Sequence, residues 1–349
     1  MIKLAYKLTN WENWPFKLIY APLGFLWLYY AIRARAFWFS SNVNPTIEFS
    51  GIEGETKKEM YAQLPASLYP TSLHIDAQTP FDSIVDKLAQ TNISYPFIVK
   101  PEIGMQGILF RKIDHQQQLL QYHQFIPVDY IIQQLIDFPL ECSVFHIRYP
   151  GQKKGKITGF ILKEYLSVVG DGKSTLLQLI QRQSKATDRE MEMRKKHKDS
   201  LTDILPEGKV YILSMAGNHN RGARFISLAQ LIDERLCSVF DDISNNAKEF
   251  YYGRYDIKFT SIDDLKAGKN FSILEFNGAG AEPNHIYDCG MSYKNAIKEI
   301  AAHWKDLFNI GRINKLRGIP YWGFWRGYQH MKKAANFFRD LRKYDSQLN

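Results

Sequence analysis

Residues 254–277 read RYDIKFTSIDDLKAGKNFSILEFN, two short strand-like runs joined by a turn-rich linker. In a strand, alternate side chains share a face. Arg254, Asp256 and Lys258 therefore point one way and Tyr255, Ile257 and Phe259 the other; in the second run Ile273, Glu275 and Asn277 share a face, with Leu274 and Phe276 on its reverse. Paired as an antiparallel hairpin, the two runs bring Asp256, Glu275 and Asn277 together. Three hard oxygen donors in one place suit Mg²⁺, with water and phosphate oxygens completing an octahedron. Such residues also occur as plain solvent-facing strand positions. Glu and Asn are poor strand formers inside an apolar ILEFN run, which tips the reading toward function.

Upstream, FIVKPEIGMQG (97–107) places Lys100 at the end of an apolar strand, followed by a loop with Gly104 and Gly107. A lysine there can reach phosphate oxygens, and glycines let backbone N–H groups approach them. By itself the pattern is weak, since a lysine at a strand end is ordinarily just solvated. GDGKST (170–175) follows a β-branched run (157–169) and precedes an apolar-periodic helix with Leu176, Leu177, Leu179 and Ile180. That is the order of a phosphate-binding P-loop, but the position of its first glycine holds Ser167. The segment reads instead as a turn capping a helix, with Ser174 or Thr175 as N-cap.

The 349 residues carry a net charge of +9, with 45% hydrophobic and 23% charged residues. This is a globular composition long enough for two domains, and its charge favours an anionic partner: nucleotide phosphate, acidic lipid or nucleic acid. Cys142, Cys237 and Cys289 are far apart and form no CxxC, which indicates a reducing, cytoplasmic location.

Both ends are aromatic and basic. WPFKLIYAPLGFLWLYYAIRARAFWF near the start is interrupted by Lys17, Pro22 and Gly24 and is followed by Arg33 and Arg35. Its uncharged stretch, 18–32, is shorter than the roughly 20 residues a bilayer-spanning helix needs, and no cleavage site marks a secretory signal. Rings flanked by cations suit the inner membrane face; helices packed on the protein's own core are the alternative. LRGIPYWGFWRGYQHMKKAANFFRDLRK at the far end interleaves Trp322, Phe324, Trp325 and Tyr328 with Arg317, Arg326, Lys332 and Lys333. Single-stranded nucleic-acid grooves share this interleaving, but no RNP-like or zinc-finger pattern accompanies it.

No internal repeat appears. The chain divides into an aromatic extension (1–43), a small segment (44–92), a first β-rich unit (93–140), a second (141–310) and a basic aromatic tail (311–349). The charged stretch KATDREMEMRKKHKDSLTDIL reads as a solvated helix.

Six segments in order, YPFIVKPEIGMQG, YIIQQLIDFPLECSV, FILKEYLSVVGDGKSTLLQLI, GNHNRGARF, GRYDIKF and ILEFNGAGAEPNHIYD, resemble the ATP-grasp superfamily of carboxylate–amine ligases over roughly residues 91–305. VVGDGKSTL is similar to a stretch in cyanophycin synthetase, and GRYD and LEFN to strands of D-alanine–D-alanine ligase. The resemblance implies an α+β ATP-grasp fold, two α/β subdomains clasping ATP, with aromatic helical extensions at both ends. It implies that Lys100 contacts the α/β phosphates, that Gly104 to Gly107 form a mobile flap, and that Gln134 stands in the hinge that meets adenine. By the same resemblance Glu141 binds the ribose hydroxyls and Lys163 lies near adenine or phosphate. Asp256, Glu275 and Asn277 hold two Mg²⁺, Glu275 bridging, and Arg254 stabilises the transferred phosphoryl group. Asn218, Asn220, Arg221 and Arg224 hold phosphate or an acidic substrate, Arg221 with a catalytic role. The implied activity is acyl-phosphate formation from a carboxylate and Mg·ATP, then capture by an amine or similar nucleophile. A kinase acting on a small acceptor and a non-catalytic nucleotide-binding scaffold at the membrane surface are the alternatives. The chain departs from the family in its short, aromatic region before residue 91, in the missing proline of the usual NxxPG turn, and in lacking an evident earlier phosphate-binding lysine.

Overall fold

The computed structural model describes residues 10–348 except positions 106, 188, 216 and 248. Eleven strands are described: β1 (Ser72–Ile75), β2 (Phe97–Pro101), β3 (Arg111–Ile113), β4 (Tyr130–Gln134), β5 (Leu140–Ile147), β6 (Lys156–Glu164), β7 (Leu166–Val169), β8 (Val210–Ser214), β9 (Arg224–Ser227), β10 (Tyr252–Phe259) and β11 (Phe271–Asn277). They form a four-stranded sheet in the order β1-β4-β2-β3, a five-stranded sheet in the order β11-β10-β5-β6-β9, and the β7–β8 ribbon. All pairings are antiparallel.

The larger sheet is covered on both faces, which is why β5 is buried along nearly its whole length although Glu141, Ser143 and His146 interrupt its apolar residues. On one side packs the helix Glu234–Asn246, whose Leu236, Phe240 and Ile243 recur at helical spacing and join a core with Val144, Tyr255 and Ile273. Asp233 caps it by accepting from the Leu236 N–H at 2.9 Å. On the other side packs the long helix Tyr293–Leu316, with Ala296, Ile300, Leu307 and Ile310 buried. The smaller sheet shares a core with the helices Phe81–Ala89 and Gln116–Phe125.

The expected hairpin is present, and Asp256 stands opposite Glu275 with Arg254 opposite Asn277. One detail differs. The next pair is Ile257 with Ile273, so Leu274 is an extra residue, a bulge that reverses the alternation. Ile273 consequently lies in the core rather than beside Glu275, and Leu274 turns its carbonyl into the cleft.

The structure also joins segments that lie far apart in the chain. β1, within 44–92, pairs with β4 and so belongs to the first sheet. The region 311–349 is not a tail: helix Tyr293–Leu316 crosses its start, and Ala334, Phe338 and Leu341 of the helix Phe324–Leu348 enter the smaller sheet's core. The charged stretch after residue 184 forms two short helices, Ser184–Thr187 and Glu190–Lys196, instead of one. GDGKST is the capping turn: Thr175 is the N-cap in a reciprocal capping box with Gln178, and Asp171 accepts from the Lys173 and Ser174 N–H groups.

Candidate active site

The two sheets enclose one large cleft with a cavity volume of about 500 Å³. Lys100, Gly104, Gly107 and the segment Gln133–Ile136 line it from the smaller sheet, and Glu141, Lys163, Arg254, Asp256, Glu275 and Asn277 from the larger. Most of the residues expected to act together are therefore brought together.

On the larger sheet the centre is a buried charge cluster. Lys163 on β6 bridges Glu141 on β5 (3.1 Å) and Asp256 on β10 (2.9 Å). The Ser143 hydroxyl donates to Asp256, and the Arg254 Nε lies 3.3 Å from the same carboxylate. Burial alone would raise the Asp256 carboxyl; Arg254 and Lys163 outweigh it and hold it well below the ordinary range. Burial likewise opposes the charge on Lys163, and Asp256 and Glu141 reverse that effect so that its pKa is raised. The Tyr165 hydroxyl donates to the second Glu141 oxygen.

Glu275 is different. Among the described residues no hydrogen-bond or ion-pair partner meets its carboxylate, although it faces the cleft beside Asn277. Asn277 donates its amide to Asp256 at 3.4 Å, which leaves its carbonyl oxygen available. The donor set is one open carboxylate, one amide oxygen and the partly engaged Asp256, all hard oxygens, and it fits Mg²⁺.

On the facing side Lys100 donates to the Leu274 carbonyl at 3.1 Å and to the Tyr61 hydroxyl at 3.4 Å. The bulge in β11 and the lysine of β2 thus meet across the cleft. Sequence reasoning missed a second lysine. Lys57 opens the helix Lys57–Tyr61, which Thr56 caps by accepting from the Glu59 N–H, and it lines the cleft. The Thr-x-x-Glu spacing at 56–59 marks a helix start in the sequence, but nothing local shows which way Lys57 faces. Burial lowers the pKa of both lysines, with Glu275 acting against it. Glu53 and Glu55 also line the cleft; burial, reinforced by Glu55, pushes the Glu53 carboxyl up to about 7.

The segment 217–225 divides. Asn218 lines the cleft. Arg221, expected to be catalytic, does not: it pairs with Glu192 at 3.3 Å and with Asp345 of the last helix at 3.2 Å. Arg224 is exposed, 3.9 Å from Glu164. The side chain of Asn220 lies outside those described.

Two facing antiparallel sheets, one presenting a lysine strand with a glycine loop and the other an Asp–Glu–Asn hairpin, enclose the cleft in an α+β fold. Among solved structures the chain is similar to the D-alanine–D-alanine ligase of Bacillus anthracis, at 14% identity and a TM-score of 0.43 over 74% of this chain and 69% of that one. It is similar to a bifunctional glutathione synthetase of Pasteurella multocida at 13% identity and a TM-score of 0.37, covering 68% of this chain and 34% of the synthetase. It also resembles the ATP-grasp ligase PsnB, solved with a minimal precursor, Mg and ADP, at 12% identity and a TM-score of 0.37 over 71% of this chain and 59% of that one. The chain thus spans about a third of the synthetase's length. No protein-family model matches the sequence, and neither does any curated protein.

Proposed function

We propose that the protein binds Mg·ATP in this cleft and uses it to join a carboxylate to an amine or similar nucleophile. The observation that carries the reading is the pairing, across one cavity, of two half-buried lysines with an open carboxylate on a metal-suited hairpin. Lys57 and Lys100 neutralise phosphate oxygens, and the Gly104–Gly107 loop offers backbone N–H groups to them. Gln134 and its neighbours meet the base, and Glu141 accepts from the ribose hydroxyls. Glu275, Asp256 and Asn277 hold two Mg²⁺, whose charge offsets that of the phosphates. Arg254, kept cationic by Asp256 and Glu275, stabilises charge on the transferred group.

In the first step a substrate carboxylate oxygen attacks the γ-phosphorus, the bond to the bridging oxygen breaks and ADP leaves. In the second the nucleophile's lone pair attacks the acyl carbon, phosphate departs and the nucleophile loses a proton. The chain's own work is positioning and charge neutralisation, and no side-chain nucleophile is required.

A membrane-surface location is part of the proposal. Phe25, Leu28, Tyr29 and Ile32 are exposed at i, i+3, i+4 and i+7 of the helix Gly24–Ala34, and Trp325 and Tyr328 are exposed near the start of the last helix. Arg33, Arg35 and Arg326 accompany these stripes, an arrangement suited to an anionic lipid interface.

The reaction is tested by incubating the purified protein with Mg·ATP and pools of carboxylates and amines, reading ADP release and product mass together. ADP with a condensed product of matching mass is the expected result. A phosphorylated product alone identifies a kinase, and absence of ADP release with every pool overturns the ligase reading.

A further inference from the structure

Outside the cleft, three ligating side chains converge on one point. His285 follows β11 in a loop, and Glu299 and His303 stand one turn apart on the helix Tyr293–Leu316. The His285 Nε2 is 3.1 Å from the Glu299 Oε1, and the His303 Nε2 is 3.4 Å from the same oxygen. One ligand atom from each residue lies within 4.8 Å of the other two. Tetrahedral ligands about 2.0–2.1 Å from a zinc ion stand about 3.3 Å apart. The two measured separations bracket that edge.

The surroundings are built for the two rings. His303 is almost fully buried between Phe145 and Tyr252. Its Nδ1 lies 2.9 Å from the Tyr252 hydroxyl. Its Nε2 is buried, has no hydrogen-bond partner and is turned toward Glu299. An imidazole anchored through one nitrogen and open at the other is the usual state of a metal ligand. Under His285 the sheet is cut away: a Cβ at Gly159 would overlap the imidazole, so only glycine leaves room for it. Glu299 is partly exposed on its side chain, which provides an entry path and room for a water.

We propose that His285, Glu299 and His303 form a transition-metal site of the zinc type, with water as the fourth ligand. None of the three lines the cleft, so the site is distinct from the Mg²⁺ hairpin and differs from it in donor chemistry, nitrogen against oxygen. Its reach toward the cleft is short. Asn284, next to His285, donates to the Ser143 hydroxyl at 3.0 Å, and Ser143 donates in turn to Asp256. The metal ties the loop carrying Asn284 to the long helix and so holds one wall of the cleft.

The test uses the full chain stripped by chelator, titrated separately with Zn²⁺ and with Co²⁺ in the absence of nucleotide. The expected result is one tightly bound ion per chain, a tetrahedral Co²⁺ absorption spectrum, and a higher melting temperature with Zn²⁺. His285→Gln and Glu299→Gln, each checked for native circular dichroism, should lose the spectrum and the thermal gain. Glu299→Gln is nearly isosteric at a partly exposed position and tests the site even if His285→Gln fails to fold. Failure of the wild-type protein to take up either ion overturns the proposal and leaves a hydrogen-bonded His–Glu–His cluster. Uptake that persists with the same spectrum in a folded variant overturns it as well. None of the three readouts depends on ligase activity.

Discussion

Of the two carboxylates proposed to hold Mg²⁺, Asp256 is engaged and Glu275 is left open by the described protein groups, and Glu275 stands beside two lysines whose charge burial opposes. Replacing it by glutamine keeps the shape and removes the charge. Loss of one such electrostatic contact costs about 3 kcal/mol of transition-state stabilisation. Glu275→Gln should therefore lower kcat at least about a hundredfold with an unchanged melting temperature, and wild-type turnover would remove Glu275 from the site. Lys100 and Lys173, the lysine of the GDGKST turn, separate this site from a P-loop. Lys100 lines the cleft, whereas Lys173 sits in the helix-capping turn. Calorimetric titration of Mg·ATP should show strongly weakened binding for Lys100→Ala and little change for Lys173→Ala; a P-loop requires the reverse. Glu53 links the cleft to pH. Its carboxyl is raised from 4.5 to about 7, so between these values the folded protein holds a proton that the unfolded chain has lost. Stability therefore falls as pH rises through this window. Glu53→Gln should stabilise the nucleotide-free protein by about 1 kcal/mol at pH 8, after allowance for partial exposure, and leave it unchanged near pH 4.5. Thermal melts at the two pH values decide this, and an equal shift at both would refute the burial argument.

Elements come together around the strap that precedes the first sheet. Asn44 is fully buried; its amide donates to the Tyr252 and Ser50 carbonyls at 2.9 and 3.1 Å, and its oxygen accepts from the Tyr251 and Tyr252 N–H groups at 2.9 and 3.1 Å. The strap then runs against the end of β11, where the Ala279 N–H donates to the Ser50 carbonyl and the Gly280 N–H to the Gly51 carbonyl. Small residues in GAGA (278–281) permit this approach: a Cβ on Gly278 would overlap the Ser50 oxygen. Asn44 thus anchors the entry to β10 and, through the strap at Ser50, the exit from β11, the two strands of the 254–277 hairpin. Each buried group left unpaired costs about 1–3 kcal/mol. Asn44→Ala should accordingly lose about 3 kcal/mol or more in urea unfolding, and a loss below about 1 kcal/mol would mean that the strap does not hold the hairpin.

At the scale of the molecule the two chain ends turn out to be both core and surface. Trp11, Ile19 and Leu23 enter a core with Ile161 and Ile300, and Tyr30 packs against Phe308, while Phe25, Ile32 and Trp325 remain exposed. Phe37 and Phe324 touch at 5.5 Å between ring centroids, so the two ends meet. No described helix is long and apolar enough to cross a membrane. If these stripes rest on lipid, the intact protein should sediment with anionic vesicles at low salt and less at high salt, because each basic residue near the surface contributes about 1 kcal/mol and salt screens it. Phe25→Ser and Trp325→Ser should weaken sedimentation without lowering the melting temperature. Indifference to anionic vesicles at low salt would exclude the membrane reading.

The sequence by itself determined the paired strands at 254–277, the capping turn at GDGKST, the strand bearing Lys100, and the order of segments that resembles ATP-grasp ligases. These are legible because alternation, capping and turn chemistry act within a few residues of one another. Tertiary structure alone decided the rest. The bulge at Leu274 arises from register against β10, so it set Ile273 apart from Glu275 where strict alternation joined them. Lys57 reaches the cleft because its helix lies across β11, and Arg221 leaves it because Glu192 and Asp345 hold it elsewhere. The last helix, amphipathic and basic along the chain, became core because the smaller sheet had a face for Ala334, Phe338 and Leu341 to cover. Such outcomes depend on contacts between residues far apart in the chain, and no local pattern encodes which distant surface a side chain will meet.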